Sequence, residues 1–201
     1  PLLVVNDVSR HFGGVVAVDH VDLEVHPAEI VGVIGPNGAG KTTLFEIVAG
    51  FTKPDTGSVI FAGHDVTTAT PERRATRGLV RSFQDAALFP TMTVRETVMV
   101  AGERTEPSSL FAASLGTPRP DRMKARRADE LIDRMGLGPF AGRTISELST
   151  GTRRVVELTC LLALEPRVLL LDEPSAGIAQ NECDALGDLL LDVRRELGTA
   201  M

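Results

Sequence analysis

The chain has 201 residues, 43% hydrophobic and 24% charged, with a formal net charge of −6. This balance excludes a wholly disordered chain, and the negative charge argues against general nucleic-acid binding. No apolar run reaches the ~18 residues of a membrane span, and two cysteines, Cys160 and Cys183, are too few for a disulfide framework or a four-cysteine zinc site.

The first thirty residues read as β-rich. Leu2–Val5 is a short apolar strand, and Val21, Leu23 and Val25 alternate with Asp22, Glu24 and His26, the pattern of a half-buried strand. Pro27-Ala28 makes a turn. Ile30-Val31-Gly32-Val33-Ile34 is continuous and β-branched, which predicts a strand buried on both faces. A Gly-rich turn over Gly35–Gly40 leads into a predicted helix, Lys41–Ala49, stopped by Gly50. Pro54–Gly57 is a turn and Ser58–Ala62 a strand. Thr70-Pro71 reads as an N-cap and first helical residue, with the helix running to Arg77 and ending at Gly78. Leu79–Phe83 is a strand. Thr93 and Glu96 have capping-box spacing, so a helix is predicted over Val94–Ala101. Residues 103–120, rich in Ser, Pro and Thr, read as a surface loop. Helices follow at 121–135 and 152–164, and Arg167–Leu171 is a buried strand. A helix over 181–197 puts Leu186, Leu189, Leu190, Val193 and Leu197 on one face.

That order describes an α/β core with an N-terminal antiparallel β portion and an inserted helical unit. The expected division is 1–83 and 165–201 for the β portion and core, and 84–164 for the helices. The chain begins at Pro1 and ends at Met201, just past a helix stop at Gly198, so it reads as a segment of a longer polypeptide.

Two motifs carry chemistry. Gly35-Pro36-Asn37-Gly38-Ala39-Gly40-Lys41-Thr42 fits G-x-x-x-x-G-K-[ST], here between a predicted strand and a predicted helix. Such glycines let backbone N–H groups turn inward around a phosphate chain, and the helix adds its positive N-terminal end. Lys41 brings a full charge to the terminal phosphates, and the Thr42 hydroxyl can ligate Mg²⁺. The second motif is the apolar strand Val168–Leu171 running into Asp172-Glu173. Ligands gather at the carboxyl ends of parallel strands. Asp172 is therefore placed to hold Mg²⁺ through water, and Glu173 to polarise an attacking water as general base. Lys41 and Asp172 lie 131 positions apart, long for a small GTPase-like core and with room for a helical insertion.

Three further segments carry a resemblance. Leu148-Ser149-Thr150-Gly151-Thr152 resembles the L-S-G-G-Q signature of ABC-type ATPases, Gln84 their Q-loop glutamine, and Phe12 the aromatic that stacks on adenine. The order of motifs covers essentially the whole chain. Arg81-Ser82-Phe83-Gln84, Met92-Thr93-Val94, Phe12-Gly13-Gly14 with Ala17-Val18, and Asp172-Glu173-Pro174 are similar to the ATP-binding subunits of branched-chain amino acid importers. The resemblance implies a P-loop NTPase (RecA-like) core that binds ATP and Mg²⁺ and hydrolyses ATP to drive a membrane permease. It implies nucleotide contacts from Phe12, Val18, Gly35, Pro36, Asn37, Gly38, Ala39, Gly40, Lys41, Thr42 and Thr43. Metal contacts are implied for Thr42, Gln84 and Asp172, and a catalytic role for Glu173, Gln84 and Lys41. Ser149 and Gly151, preceding a helix, would face the ATP of a second cassette, and Asp85–Val94 would meet the permease, at the cytoplasmic face of the membrane.

The chain departs from the family pattern in three ways. Thr150 and Thr152 replace a Gly and the Gln of the commonest signature, and Ala179 stands where Asp or Asn is frequent. None of His11, His20, His26 or His64 fits the switch histidine, expected soon after residue 201. Urea or lipopolysaccharide transporter ATPases, a soluble ABC-type ATPase and a degenerate regulatory cassette remain alternatives. The basic clusters Arg119, Arg122, Lys124, Arg126, Arg127 and Arg73, Arg74, Arg77, Arg81 lack interleaved aromatics and read as solvated faces; no nucleic-acid partner is expected. Cys160, among Leu158, Leu161 and Leu162, reads as a buried small hydrophobe.

Overall fold

Two long strands dominate the N-terminus. In the computed structural model, which describes residues 1–82, 88–104, 119–177 and 180–201, β1 (Leu3–Phe12) and β2 (Val15–Val25) form an antiparallel hairpin closed by Gly13-Gly14. The strand predicted over Leu2–Val5 continues seven residues further, to Phe12, because a bulge absorbs the break in alternation. The register shifts between Val5 and Val8, Asp7 takes a φ of 48° there, and Val8 is buried again. Strand β3 (Thr56–Phe61) pairs with the other edge of β1, and β4 (His64–Asp65) with β3, giving the order β2-β1-β3-β4.

The inward residues of this sheet share one core with helix α1 (Lys41–Ala49). Val5, Val8, Val59 and Phe61 are buried together with Leu44, Ile47, Val48 and Ala49. Each of these side chains other than Ala49 contributes roughly 1.5–3 kcal/mol on full burial, so α1 is held by its apolar face. Helix α2 (Pro71–Thr76) starts where predicted, with the Thr70 hydroxyl accepting from the Arg73 N–H.

A second, parallel sheet pairs β5 (Leu79–Arg81) with β6 (Val168–Leu170), Arg81 lying opposite Leu170. Val168, Leu169 and Leu170 are all buried, as a parallel strand covered on both faces requires. The end of the chain joins this layer. The Leu169 N–H donates to Ala200 O, the Met201 N–H to Glu29 O, and the Val31 N–H back to Met201 O.

The expected strand Ile30–Ile34 is corrected. Its backbone pairing stops at Val31, and Gly32–Ile34 form no ladder among the described residues; Ile30 is 41% and Ile34 98% exposed. A β-branched run supplies strand propensity, but burial on both faces needs strand neighbours along its length.

These elements belong to one compact unit, Pro1–Phe83, Pro166–Asp172 and Leu190–Met201; the other unit is Gln84–Glu165 with Glu173–Leu189. The second unit is helical. It contains α3 (Val94–Ala101), α4 (Arg119–Arg134), α5 (Thr150–Leu162) and the first half of α6 (Gln180–Leu197). Helix α3 packs against α4 and α5 around Val94, Val98, Ile132, Ile145 and Val156. The predicted capping box is present, with the Thr93 N–H donating to Glu96 Oε2 at 2.8 Å. Of the predicted loop 103–120, residues 105–118 lie outside the described residues, while Gly102–Arg104 form a 3₁₀ turn and α4 begins at Arg119.

Three basic residues are corrected as well. Lys124 is buried, with Nζ 2.7 Å from Glu103 Oε2. Arg74 is the largest fully buried side chain among the described residues. Arg81 is mostly buried and paired with Asp172. Charge patterning along the chain shows which residues are cationic, not which of them tertiary neighbours enclose.

Candidate functional site

The Gly-rich turn does what its composition requires. Gly38 and Gly40 take φ of 83° and 88°, and Gly40 closes the turn onto α1. A Cβ on Gly40 would lie 2.0 Å from Ala17 O and 3.7 Å from Val18 Cγ2, so only glycine lets the loop approach β2 this closely. Val18 is buried beside it.

Helix α1 differs from α2, α3 and α5 in that no side chain caps its N-terminus, and unlike α2 and α3 it has no acidic residue in its first turn. Its leading N–H groups keep their positive end for an anion. Gly35–Ala39 are largely exposed; Thr42 is exposed and Thr43 half-buried in the first turn. Lys41 folds back over the loop, Nζ donating to Gly35 O at 2.7 Å and Pro36 O at 2.9 Å. The loop thus keeps its cation centred above the turn.

Phe12 stands at the end of β1, 46% exposed, which sets aside a core role for it. The Arg10 guanidinium covers one ring face, 4.6 Å from its centroid. Asp55 ties this end of the hairpin down: Oδ1 accepts from Arg10 Nη1 at 2.6 Å and Oδ2 from the His11 N–H at 2.7 Å. The His11 backbone bond, foremost, holds the Asp55 carboxyl below its ordinary range.

Asp172 follows β6 and is buried. Its Oδ2 accepts from Arg81 Nη2 at 3.0 Å, and its N–H donates to Ser82 Oγ at 3.2 Å. The phosphate loop, Phe12, Val18 and Asp172 all belong to the first unit. The sequence reading missed Arg81 as a site residue; its signal is a charge at the carboxyl end of a strand parallel to that of Asp172.

Glu173, Ser149 and Gly151 belong to the second unit. Glu173 is exposed and takes a φ of 48°. Ser149 is the N-cap of α5, its Oγ accepting from the Thr152 N–H at 3.1 Å. Gly151 lies inside the first turn of α5 rather than before it. The Glu182 carboxylate packs against Gly151: a Cβ there would lie 2.7 Å from it. Gln84 and Ala179 lie outside the described residues. Among the described residues no cluster of three or more His, Cys, Asp or Glu has the arrangement of a metal site.

Residues 18–176 match the family model described as ABC transporter. The chain belongs to the ABC transporter family. It is 38% identical to the high-affinity branched-chain amino acid transport ATP-binding protein LivG of Escherichia coli (strain K12), over 100% of this chain and 80% of that protein. It is 36% identical to BraF of Pseudomonas aeruginosa, a protein with the same description, over 98% of this chain and 78% of that one. The crystal structure of the ADP conformation of MJ1267, an ATP-binding cassette of an ABC transporter, superposes with a TM-score of 0.84 at 29% identity, covering 99% of this chain and 78% of that chain. The fold is that of the ATP-binding cassettes, an α/β P-loop NTPase, and the chain is an ATP-binding ATPase of the transporter type. Among the described residues no helix is long and apolar enough to cross a membrane.

Proposed function

We propose that this chain hydrolyses Mg-ATP to power a permease that imports branched-chain amino acids, working at the cytoplasmic membrane face as one of two facing cassettes. The observation that carries the reading is the uncapped N-terminus of α1, with Lys41 held over the loop and Asp172 in the same unit. The descriptions of the two bacterial relatives support the substrate class.

In this reading Gly35–Thr43 wrap the triphosphate, Lys41 exchanges its loop carbonyls for phosphate oxygens, and the base stacks on the open face of Phe12 above Val18. Thr42 and Asp172 supply hard oxygen donors, the set that suits Mg²⁺. The metal, when bound, neutralises charge on the phosphates. Glu173 takes a proton from the attacking water, and Gln84 senses the metal and the γ-phosphate. Ser149 and Gly151 offer the N-terminus of α5 to the partner cassette's nucleotide.

Calorimetric titration with ATP tests the phosphate site. Lys41→Ala removes a charged hydrogen bond worth ~1.5–3 kcal/mol, so affinity falls tenfold or more; unchanged affinity refutes the site. In the assembled transporter, Glu173→Gln keeps ATP binding and slows turnover by ~10²-fold or more, and leucine uptake into vesicles stops with it.

A further inference from the structure

The Arg81–Asp172 pair is built unlike a pair that only adds stability. Strands β5 and β6 run parallel and in register, Arg81 beside Leu170, so both charges leave the same end of the sheet. The Ser82 N–H donates to Leu170 O at 2.8 Å and Ser82 Oγ accepts from the Asp172 N–H, so the backbone around both residues is locked. The side chains are 11% and 8% exposed. At that burial, desolvation of two charges offsets much of their attraction unless the remaining donors and acceptors are also matched. A fork-to-fork contact would match them.

The contact instead uses one nitrogen and one oxygen, Nη2 to Oδ2 at 3.0 Å. Arg81 Nε is buried without a partner among the described residues. Asp172 Oδ1 likewise accepts no hydrogen bond from them. The Arg81 guanidinium carbon lies 5.9 Å from the Phe51 ring centroid, so an aromatic face borders it. One carboxylate oxygen is anchored and the other is left over.

We propose that Arg81 is the positioning residue of the metal-holding carboxylate. Its bond to Oδ2 fixes the Asp172 rotamer, so that Oδ1 is presented to a water of the nucleotide-bound Mg²⁺. This rests on the reading of Asp172 as a metal-holding residue. It assigns Arg81, which the sequence pattern alone places in a solvated basic cluster, to the outer shell of that site, where partners orient the groups that hold a metal.

ATP affinity of the full chain is measured with excess Mg²⁺ and with EDTA, in wild type, Arg81→Met, Arg81→Lys and Asp172→Asn. Outer-shell partners are typically worth ~10–100-fold in metal affinity. Arg81→Met is therefore expected to leave metal-free ATP binding unchanged and to lower the Mg²⁺-dependent gain by that factor. Arg81→Lys keeps the charge without the planar donor and loses less, in the same direction. A purely structural role would move both conditions together. A folded Arg81→Met with the wild-type Mg²⁺ dependence overturns the proposal, and so does a steeper dependence, which would make Arg81 a competitor of the metal. If Arg81→Met does not fold, Arg81→Lys decides by the same criterion. If Asp172→Asn keeps the wild-type Mg²⁺ dependence, the metal reading of Asp172 fails, whatever the Arg81 variants do.

Discussion

Arg74→Met tests how the far end of the phosphate-loop helix is anchored. Arg74 is 1% exposed. Its Nη1 donates to Ile47 O and Val48 O, both at 2.7 Å, its Nη2 to Thr67 O at 2.9 Å, and its Nε to Ala69 O at 3.1 Å. The first two acceptors lie in the last turn of α1, where a cation also meets the negative end of the helix dipole. Burial pushes the guanidinium down to about 10, so it remains charged at neutral pH. Methionine keeps much of the volume and removes every donor. Charged hydrogen bonds are worth ~1.5–3 kcal/mol each, but the guanidinium regains its hydration in the unfolded chain and some freed carbonyls recruit water. A net loss of ~3–5 kcal/mol is expected, the range for removing one partner of a buried charged contact. At ~2–4 °C per kcal/mol for a chain of this size, Tm falls by roughly 6–20 °C in calorimetric scans. Arg74→Lys, with one donor group, should fall between. A Tm within ~2 °C of wild type would show that these four bonds contribute little and refute the reasoning.

Gly40→Ala should abolish ATP binding measured by calorimetry and lower Tm, because the new Cβ meets Ala17 O and the residue must leave a φ of 88°; normal affinity would mean that the loop does not depend on this close approach. The Asp7 carboxylate, with Oδ1 2.6 Å from His20 Nδ1, raises the His20 pKa above its usual value. The contribution of this exposed pair to hairpin stability is therefore complete below pH ~6.5 and is lost as pH rises through the higher folded value. An NMR titration of His20 with a midpoint at or below ~6.5 would contradict this, and Asp7→Asn should bring the midpoint back down.

What was legible in the sequence is what is decided within a few residues. Thr93 and Glu96 cap α3, Thr70-Pro71 starts α2, and Gly50 stops α1 in a left-handed conformation, because each needs only the geometry of one turn. A second capping box, Thr144 with Glu147, carries the same local signal. The phosphate-binding motif was equally plain, since its spacing alone dictates a tight Gly-rich turn before a helix. Tertiary structure decided the rest. The bulge at Asp7 that lets β1 run on to Phe12 exists because β2 and β3 pair on both sides. Ile34 is exposed because strand burial depends on neighbours distant in sequence. Arg74, Arg81 and Lys124 looked like surface charges; they are enclosed because their partners lie 5 to 91 positions away. A local pattern records charge and period, while the partner that makes a buried charge tolerable is chosen only when the chain folds back on itself.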